Sequence, residues 1–145
     1  MFLNDSPGDG FVTAGVSSAP GFYTVRAGFA AASALSVAQD FAQTPVAVVA
    51  CATTGCTLAP IDLSGNPVYL SLYGTGFDNA AASGVTCTVA GQNATVTYAG
   101  PQMQEPGLDQ LNLLLPKSAA GAGLATVSCA FPSAHAANPV QISIR

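Results

Sequence analysis

Charge is what this sequence has least of. Charged residues make up 7% of its 145 residues, against about a quarter in ordinary soluble domains. Only Arg26, Lys117 and Arg145 are positive, and the formal net charge is −4. Binding to nucleic acid or to an anionic lipid surface needs clustered cations that neutralise phosphates, and three scattered ones form no such cluster. We therefore predict that neither is a partner.

Membrane spans and an export signal are also missing from the sequence. No apolar run reaches the 18 or more residues that a bilayer span requires, so we predict no membrane insertion. Residues 1–10 include Asp5 and Asp9 and lack the basic start and apolar stretch of a signal peptide. Because the cysteines indicate an exported protein, we expect the numbering to begin after processing, or the chain to be a fragment of a longer one.

The low charge leaves two interpretations of the surface open. Soluble monomers usually have a surface with about 25–35% charged residues and only small apolar patches. Half of the residues in this chain are hydrophobic. It is either a secreted domain with a neutral surface of Ser, Thr and Ala, or a subunit that other chains cover in an assembly.

The residue sets that enzymes use are sparse. His135 is the only histidine, and no Gly-x-Ser-x-Gly motif marks a nucleophile. Glu105 and Asp109 flank a Pro-Gly turn and have a spacing that paired acids for glycoside hydrolysis could have. Catalysis usually needs a nucleophile beside a base, a carboxylate pair in a cleft, or a metal. We predict that the protein is not an enzyme.

Metal and ligand motifs are equally weak. Residues 4–10 resemble a calcium loop, but they lack the bidentate Glu and Pro7 interrupts them, so we predict no metal and no cofactor. Asn93 begins a glycosylation sequon, which we expect to be unused in a bacterial-looking chain. The four tyrosines are able to stack on sugar rings, although tryptophan is absent and packing in the core or at sheet edges is the favoured interpretation. They are Tyr23, Tyr69, Tyr73 and Tyr98.

Four cysteines provide two plausible disulfide pairs. Cys51 and Cys56 flank a short polar segment between two apolar runs, as at the tip of a hairpin. Cys87 and Cys129 each occupy an inward position on a separate predicted strand, which suits a cross-link through a core. Of the three possible connectivities we prefer 51–56 with 87–129, and four free thiols are the alternative. Disulfides persist in oxidising compartments, so we predict a secreted, extracellular protein.

Alternation of apolar and polar residues dominates the rest of the chain. In residues 68–77, Val68, Leu70 and Leu72 point one way and the tyrosines the other, as in a central strand with a glycine-rich exit. Similar segments recur every ten to fifteen residues, and no helix of convincing length is found. We predict an all-β, Ig-like antiparallel β-sandwich over residues 21–145, preceded by an extended arm over residues 1–20. The predicted strands are 22–25, 29–39, 46–51, 57–63, 68–77, 85–89, 94–98, 108–115, 124–131 and 140–145.

Four ordered motifs carry a resemblance to a known family. They are "PVYLSLYGTGF", "VTCTVAGQNATVTYAGPQ", "PGLDQLNLLLP" and "NPVQISIR", with "APGFYT" and a Cys-loop-Cys before "PIDL" upstream. Together, over residues 19–145, they resemble the uncharacterised C-terminal domain family of exported proteins in Solibacter-type acidobacteria. The resemblance implies an Ig-like sandwich, an exported protein and no assigned activity. It also implies that Asp109 of "PGLDQLN" caps its turn by accepting hydrogen bonds from backbone amides.

We predict a non-catalytic structural or adhesive subunit that associates with copies of itself at the cell surface, as a filament. In the N-terminal arm, Phe11 and Thr13 alternate with Val12, Ala14 and Val16, so this segment is suited to add as a strand to an exposed edge of a neighbour. A carbohydrate-binding module of a larger secreted protein and an inert spacer are the alternatives. The candidate self-association residues are Phe11, Val12, Thr13, Ala14 and Val16.

Overall fold

A computed structural model describes residues 21–26, 28–77, 82–132 and 136–145. Within these ranges the chain forms fourteen strands, two short 3-10 helical turns (Ala82–Gly84 and Lys117–Ala119) and no α-helix. The prediction of an all-β fold is confirmed. The predicted arm, residues 1–20, lies outside the described residues.

The strands are numbered in chain order. They are β1 (Gly21–Phe22), β2 (Thr24–Arg26), β3 (Phe29–Ala30), β4 (Ala32–Val37), β5 (Gln43–Val46), β6 (Val49–Ala52), β7 (Gly55–Leu58), β8 (Pro60–Ile61), β9 (Val68–Thr75), β10 (Thr86–Val89), β11 (Gln92–Pro101), β12 (Asp109–Leu114), β13 (Gly123–Ala130) and β14 (Val140–Ile144).

Twelve of these strands form one curled sheet that folds into two layers. Its order is β2-β3-β14-β13-β10-β11-β12-β9-β4-β5, with β1 also paired to β9 and β8 also paired to β14. We call β1, β4, β5, β9, β12 and the second part of β11 the front layer. The back layer contains β2, β3, β8, β10, β13 and β14, and the hairpin β6–β7 stands apart as a sheet of its own.

The long strand β11 connects the two layers. Its first residues pair with β10, and from Thr95 onwards it pairs with β12 instead. A bulge at Thr97 shifts the register at this crossing, and a bulge bends a strand and moves later side chains to the other face. The strand therefore continues through Pro101, and the predicted break after Tyr98 is wrong. For the same reason Tyr98 does not share a face with Ala94 and Val96.

The core lies between the layers and is built from the predicted inward positions. In β9, Val68, Leu70 and Leu72 are all buried and alternate with partly exposed neighbours. The same alternation is confirmed in the other long strands, since side chains of period two line one face. The buried members are Val85, Cys87, Val89, Leu111, Leu113, Leu115, Ala125, Val127, Cys129, Phe131, Val140, Ile142 and Ile144.

The sheet is mixed, which corrects the prediction of a purely antiparallel sandwich. β14 pairs in parallel with both β3 and β8. β3 and β8 are two residues long each, and both pair with the same edge of β14, the edge opposite β13. An all-β sandwich-like fold is the result, and the Ig-like topology stays a prediction.

These crossings also explain why four predicted strands are each interrupted. The predicted segments 22–25, 29–39, 46–51 and 57–63 each divide into two strands where the chain changes partners. Alternation reports only which side of a strand is buried. The alternation carries no information about which layer covers the buried side. A sequence pattern therefore does not show where the chain passes from one layer to the other.

Both predicted disulfides are present. Cys87 lies directly opposite Cys129 on β10 and β13, with an Sγ–Sγ distance of 2.07 Å, inside the core. Cys51 lies opposite Cys56 in the hairpin β6–β7, whose residues are mostly exposed. One bond therefore connects two strands of the core, and the other closes a surface hairpin.

Gly21 and Arg145 lie at opposite ends of the sandwich. Gly21 pairs with Thr75, at the end of β9. The Arg145 carbonyl accepts a hydrogen bond of 2.8 Å from Gly121, in the connection between β12 and β13. Leu115, the residue after β12, donates to Val68 at the start of β9. The described residues therefore begin, at Gly21, at the end of the sandwich away from Arg145.

Candidate functional site

The outer side of the front layer carries an uncharged polar surface. The residues of β4, β9, β11 and β12 that point outward are aromatic, hydroxyl, amide or aliphatic residues, and none is charged. Asp109 is the one charged residue in these strands. It lies at the end of β12, and its carboxylate accepts a hydrogen bond of 2.9 Å from the Phe77 amide.

Three tyrosines and one amide form a line across the front layer. Tyr23 follows β1, and its N–H donates to the carbonyl of Tyr73 at 2.8 Å. Tyr73 lies opposite Gln110 on β12, and Gln110 lies opposite Gly100 on β11. The side chain of Tyr98 covers Gly100. We call Tyr23, Tyr73, Gln110 and Tyr98 the tyrosine row.

The side chain of Tyr98 lies along the sheet, over Gly100 and next to the Pro101 carbonyl. Its hydroxyl donates to the carbonyl of Pro101 at 2.5 Å. A Cβ on Gly100 would lie 3.2 Å from that hydroxyl and 3.5 Å from the ring carbon that bears it. Gly100 is buried, because the side chain of Tyr98 covers its backbone. The glycine therefore leaves room for the aromatic ring beside the backbone.

A second line of polar side chains lies beside the tyrosine row. Asn112 Oδ1 accepts hydrogen bonds from Ser71 Oγ at 2.7 Å and from Gln110 Nε2 at 2.8 Å. The hydroxyls of Ser33 and Tyr73 are 3.0 Å apart and share a hydrogen bond. Among the described residues, nothing accepts a hydrogen bond from Asn112 Nδ2. The network therefore fixes these side chains and leaves one amide donor available.

The tyrosines are on the surface, so of the expected packing in the core or at sheet edges, packing in the core is wrong. Tyr23 is 45% exposed, Tyr98 is 37% exposed, and Tyr69 and Tyr73 are partly exposed. Partial burial raises the pKa of Tyr23, and the nearby Asp109 carboxylate raises it further. A phenol with a raised pKa keeps its proton at neutral pH and remains a hydrogen-bond donor.

Tyr69 belongs to a different part of the same surface. It lies opposite Leu35 on one side and Leu114 on the other. Both leucines are partly exposed, and neither has a polar side-chain atom. Tyr69 therefore provides an aromatic ring outside the polar network, on the same strand as Tyr73.

The acids considered for catalysis have other positions in the structure. Asp109 bonds to a backbone amide, as the resemblance implied, but the amide belongs to Phe77 after β9 and lies outside the turn before Asp109. Glu105 is exposed in that turn, where its own N–H donates to the Gln102 side chain at 2.9 Å. The structure therefore gives Asp109 a connecting role between two strands.

The opposite end of the front layer holds a small cleft of about 140 Å³. Lys117 lines this cleft, and its ammonium donates to the carbonyls of Leu63, at 3.0 Å, and Gly65. Asp62 accepts hydrogen bonds from the side chain and backbone of Ser64, which lower the pKa of its carboxyl group. These bonds hold the loop before β9 in place.

Several candidates from the sequence lie outside the described residues. They are the arm residues 11–16, the calcium-like residues 4–10 and His135. Asn93 of the sequon is exposed near the turn between β10 and β11. Sequence reasoning missed Ser33, Gln110 and Asn112. The register between β4, β9 and β12 would have been needed to find them, because they come from two distant segments that pair with opposite sides of β9.

Comparison with protein-family models, curated proteins and solved structures finds no significant match to this chain. The resemblance to the Solibacter-type family stays a prediction. In the described ranges, no group of three or more His, Cys, Asp or Glu side chains is arranged to hold a metal ion. The same residues include no helix with the length and apolar character needed to cross a bilayer.

Proposed function

We propose that the protein is a non-catalytic structural or adhesive subunit that is secreted and associates with copies of itself at the cell surface. The observation that carries this proposal is an open sheet edge: among the edge strands of the large sheet that the structure describes, β2 has neither a proline nor a side-chain cap. The predicted arm, residues 1–20, is the segment that we propose adds to this edge in a neighbouring copy. A contact between the arm of one copy and the body of the next is heterologous, and such contacts produce open filaments when the rotation does not close.

Two further observations support a protein of this type. Both disulfides join residues of the same chain, and such bonds persist in oxidising compartments outside the cytosol. The surface of the front layer carries no charged side chain in its outward positions. Little electrostatic repulsion therefore opposes the approach of a second copy.

The edges of the sheet limit where an added strand can bind. Pro45 in β5 lies opposite Leu35. Ala38 donates to the Ala42 carbonyl at 2.9 Å, and bonded and non-bonded pairs alternate along antiparallel strands. Pro45 is therefore in a non-bonded pair, and its backbone faces the open edge without an N–H. Proline at such positions blocks strand addition.

The other edge strands are protected in related ways. β8 contains Pro60, and the outward carbonyl of Pro101 in β11 already accepts the Tyr98 hydroxyl. The Asn138 side chain bonds to both the N–H and the carbonyl of Phe22 in β1, at 2.8 and 3.2 Å. Of the edge strands described in the large sheet, β2 is left without proline or a side-chain cap, and we propose β2 as the acceptor for residues 11–16.

Removal of residues 1–18 tests the arm. We expect the shortened chain to be a folded monomer, because the domain keeps its core and loses the added strand. A matched control lacks residues 1–9 and retains Phe11, Val12, Thr13, Ala14 and Val16, and this variant should still assemble. Light scattering and electron microscopy measure both. Assemblies that persist without residues 1–18 would contradict the arm as the connector.

A carbohydrate-binding module is the second candidate function. The observation that favours it is that the four tyrosines lie on the outer side of the front layer, where Tyr73 lies beside Gln110 and shares a hydrogen bond with Ser33. Aromatic rings beside polar groups suit ligands that are apolar on one face and polar at their edges. A glycan array separates the two candidates, because a purely structural subunit gives no specific signal there.

A further inference from the structure

We infer that the tyrosine row is a binding site for a neutral polysaccharide that lies across strands β1, β9, β12 and β11. The inference rests on the second candidate function and identifies the surface and the class of ligand. The site consists of Tyr23, Tyr73, Gln110 and Tyr98, with Ser33, Ser71 and Asn112 beside them.

The aromatic rings of the row provide the stacking surface. A pyranose ring has an apolar face of C–H groups, and aromatic faces attract such groups through burial of apolar area. Tyr98 is already fixed over Gly100 by its bond to the Pro101 carbonyl. Tyr73 is fixed by its bond to Ser33. Binding therefore loses little side-chain entropy at these two residues, which favours affinity.

The amides of the row provide directional hydrogen bonds to sugar hydroxyls. Gln110 lies between Tyr73 and the position covered by Tyr98. Its Nε2 is oriented by the bond to Asn112 Oδ1 at 2.8 Å. Asn112 Nδ2 has no acceptor among the described residues and is a donor for a ligand hydroxyl. The row therefore has the aromatic ring of Tyr73, the amide of Gln110 and the aromatic ring of Tyr98 in order. This order matches a ligand in which apolar ring faces alternate with edges that carry hydroxyl groups.

Length and charge select the class of polysaccharide. The row crosses four neighbouring strands, which are spaced about 4.8 Å apart, so it is about 14 Å long. That length exceeds a single pyranose ring and fits a chain of several sugars. The outward positions carry no cation that could pair with a uronate or sulfate group. A neutral polymer is therefore favoured over an acidic one.

The test measures binding of the full chain to cellulose, chitin and xylan by sedimentation, with polygalacturonate as the acidic control. We expect one or more of the neutral polymers to bind. Tyr73→Ala and Tyr98→Ala should each weaken binding at least about fivefold, since the loss of a central aromatic contact has effects of this size. Tyr69→Ala is the matched control outside the row and should bind as the unmodified chain does.

A further variant separates the aromatic ring from its hydroxyl. Tyr73→Phe keeps the ring and removes the bond to Ser33, so it should retain most of the binding. Thermal unfolding of each variant shows whether it is folded. If Tyr98→Ala does not fold, the comparison of Tyr73→Ala with Tyr73→Phe still decides the role of the ring.

Each other outcome overturns a different statement. If a neutral polymer binds and the row variants bind equally well, carbohydrate binding stands and the proposed site is wrong. If neither the neutral nor the acidic polymers bind, both the site and the second candidate function are wrong. If copies of the chain associate and Tyr73→Ala abolishes that association, the row is an interface between copies. Preferential binding of polygalacturonate contradicts the neutral class.

Discussion

Neighbouring residues of β9 lie in opposite surroundings. Leu70 and Leu72 are 0% and 1% exposed, and they face the layer that contains Cys87 and Cys129. Tyr73, between Leu72 and Gly74, faces outward and joins a polar network. The inner side is defined by burial, and any apolar residue of suitable volume contributes there. The outer side is defined by specific chemistry, so its residues are the ones expected to determine function.

The two disulfides allow the largest expected difference in stability between the inside and the outside to be measured. Replacement of Cys87 and Cys129 together by alanine should lower the free energy of unfolding by about 4 kcal/mol, because the bond closes a long loop. Replacement of Cys51 and Cys56 should cost about 2 kcal/mol, because that loop is short. Denaturant unfolding without reducing agent measures both. An equal loss of unfolding free energy for the two cysteine pairs would contradict the expected difference between the buried bond and the surface bond.

Leu70 and Tyr69 test the two sides of β9 at adjacent positions. Leu70→Ala should destabilise the fold by about 3 kcal/mol, because it leaves a cavity in a close-packed core. Tyr69→Ala should cost no more than about 1 kcal/mol, since the residue is partly exposed and the neighbouring chain can adjust. Chemical denaturation of both variants gives the difference. If Tyr69→Ala lost more stability than Leu70→Ala, the outer side of β9 would contribute more to the stability of the fold than the inner side.

Gly74 is a buried position of β9 without a side chain. Its replacement should lower the stability less than the replacement of Leu70 does. A Cβ there would overlap the carbonyl oxygen of Gly21 and lie 3.1 Å from the Cα of Phe22. Gly74→Ala should therefore displace β1 and cost about 2 kcal/mol. Faster hydrogen exchange at Phe22 reports the displacement. Gly65→Ala is the matched control, because a Cβ on Gly65 meets nothing within 4 Å.

Gly74 shows where reading a sequence falls short. The glycine-rich end of residues 68–77 predicted an exit from the strand, and β9 does end at Thr75, before Gly76. Gly74 itself lies within the strand. Gly74 pairs with Asp109 on one side and with Phe22 on the other. The missing side chain permits the close approach of β1. A glycine pattern alone does not distinguish a turn from a close contact between strands.

The proline positions show the same limit for the sheet edges. Proline within a strand predicts an edge, and Pro45, Pro60 and Pro101 are all in edge segments. The sequence contains ten prolines, and five of the eight in the described residues lie outside strands. Only the strand register identifies the residues that face an open edge, because it depends on partners distant in the chain.

Local alternation by itself determined the all-β class and the inward residues, and it favoured the pairing of Cys87 with Cys129. These properties depend on whether a residue is buried, and a two-residue period records that directly. The tertiary structure decided the mixed sheet, the crossing of β11 and the alignment of Tyr23, Tyr73 and Tyr98. Each of these depends on which strands become neighbours, and neighbours are chosen by packing between distant segments. The tyrosine row was present in the sequence as separate residues, and only folding placed them side by side.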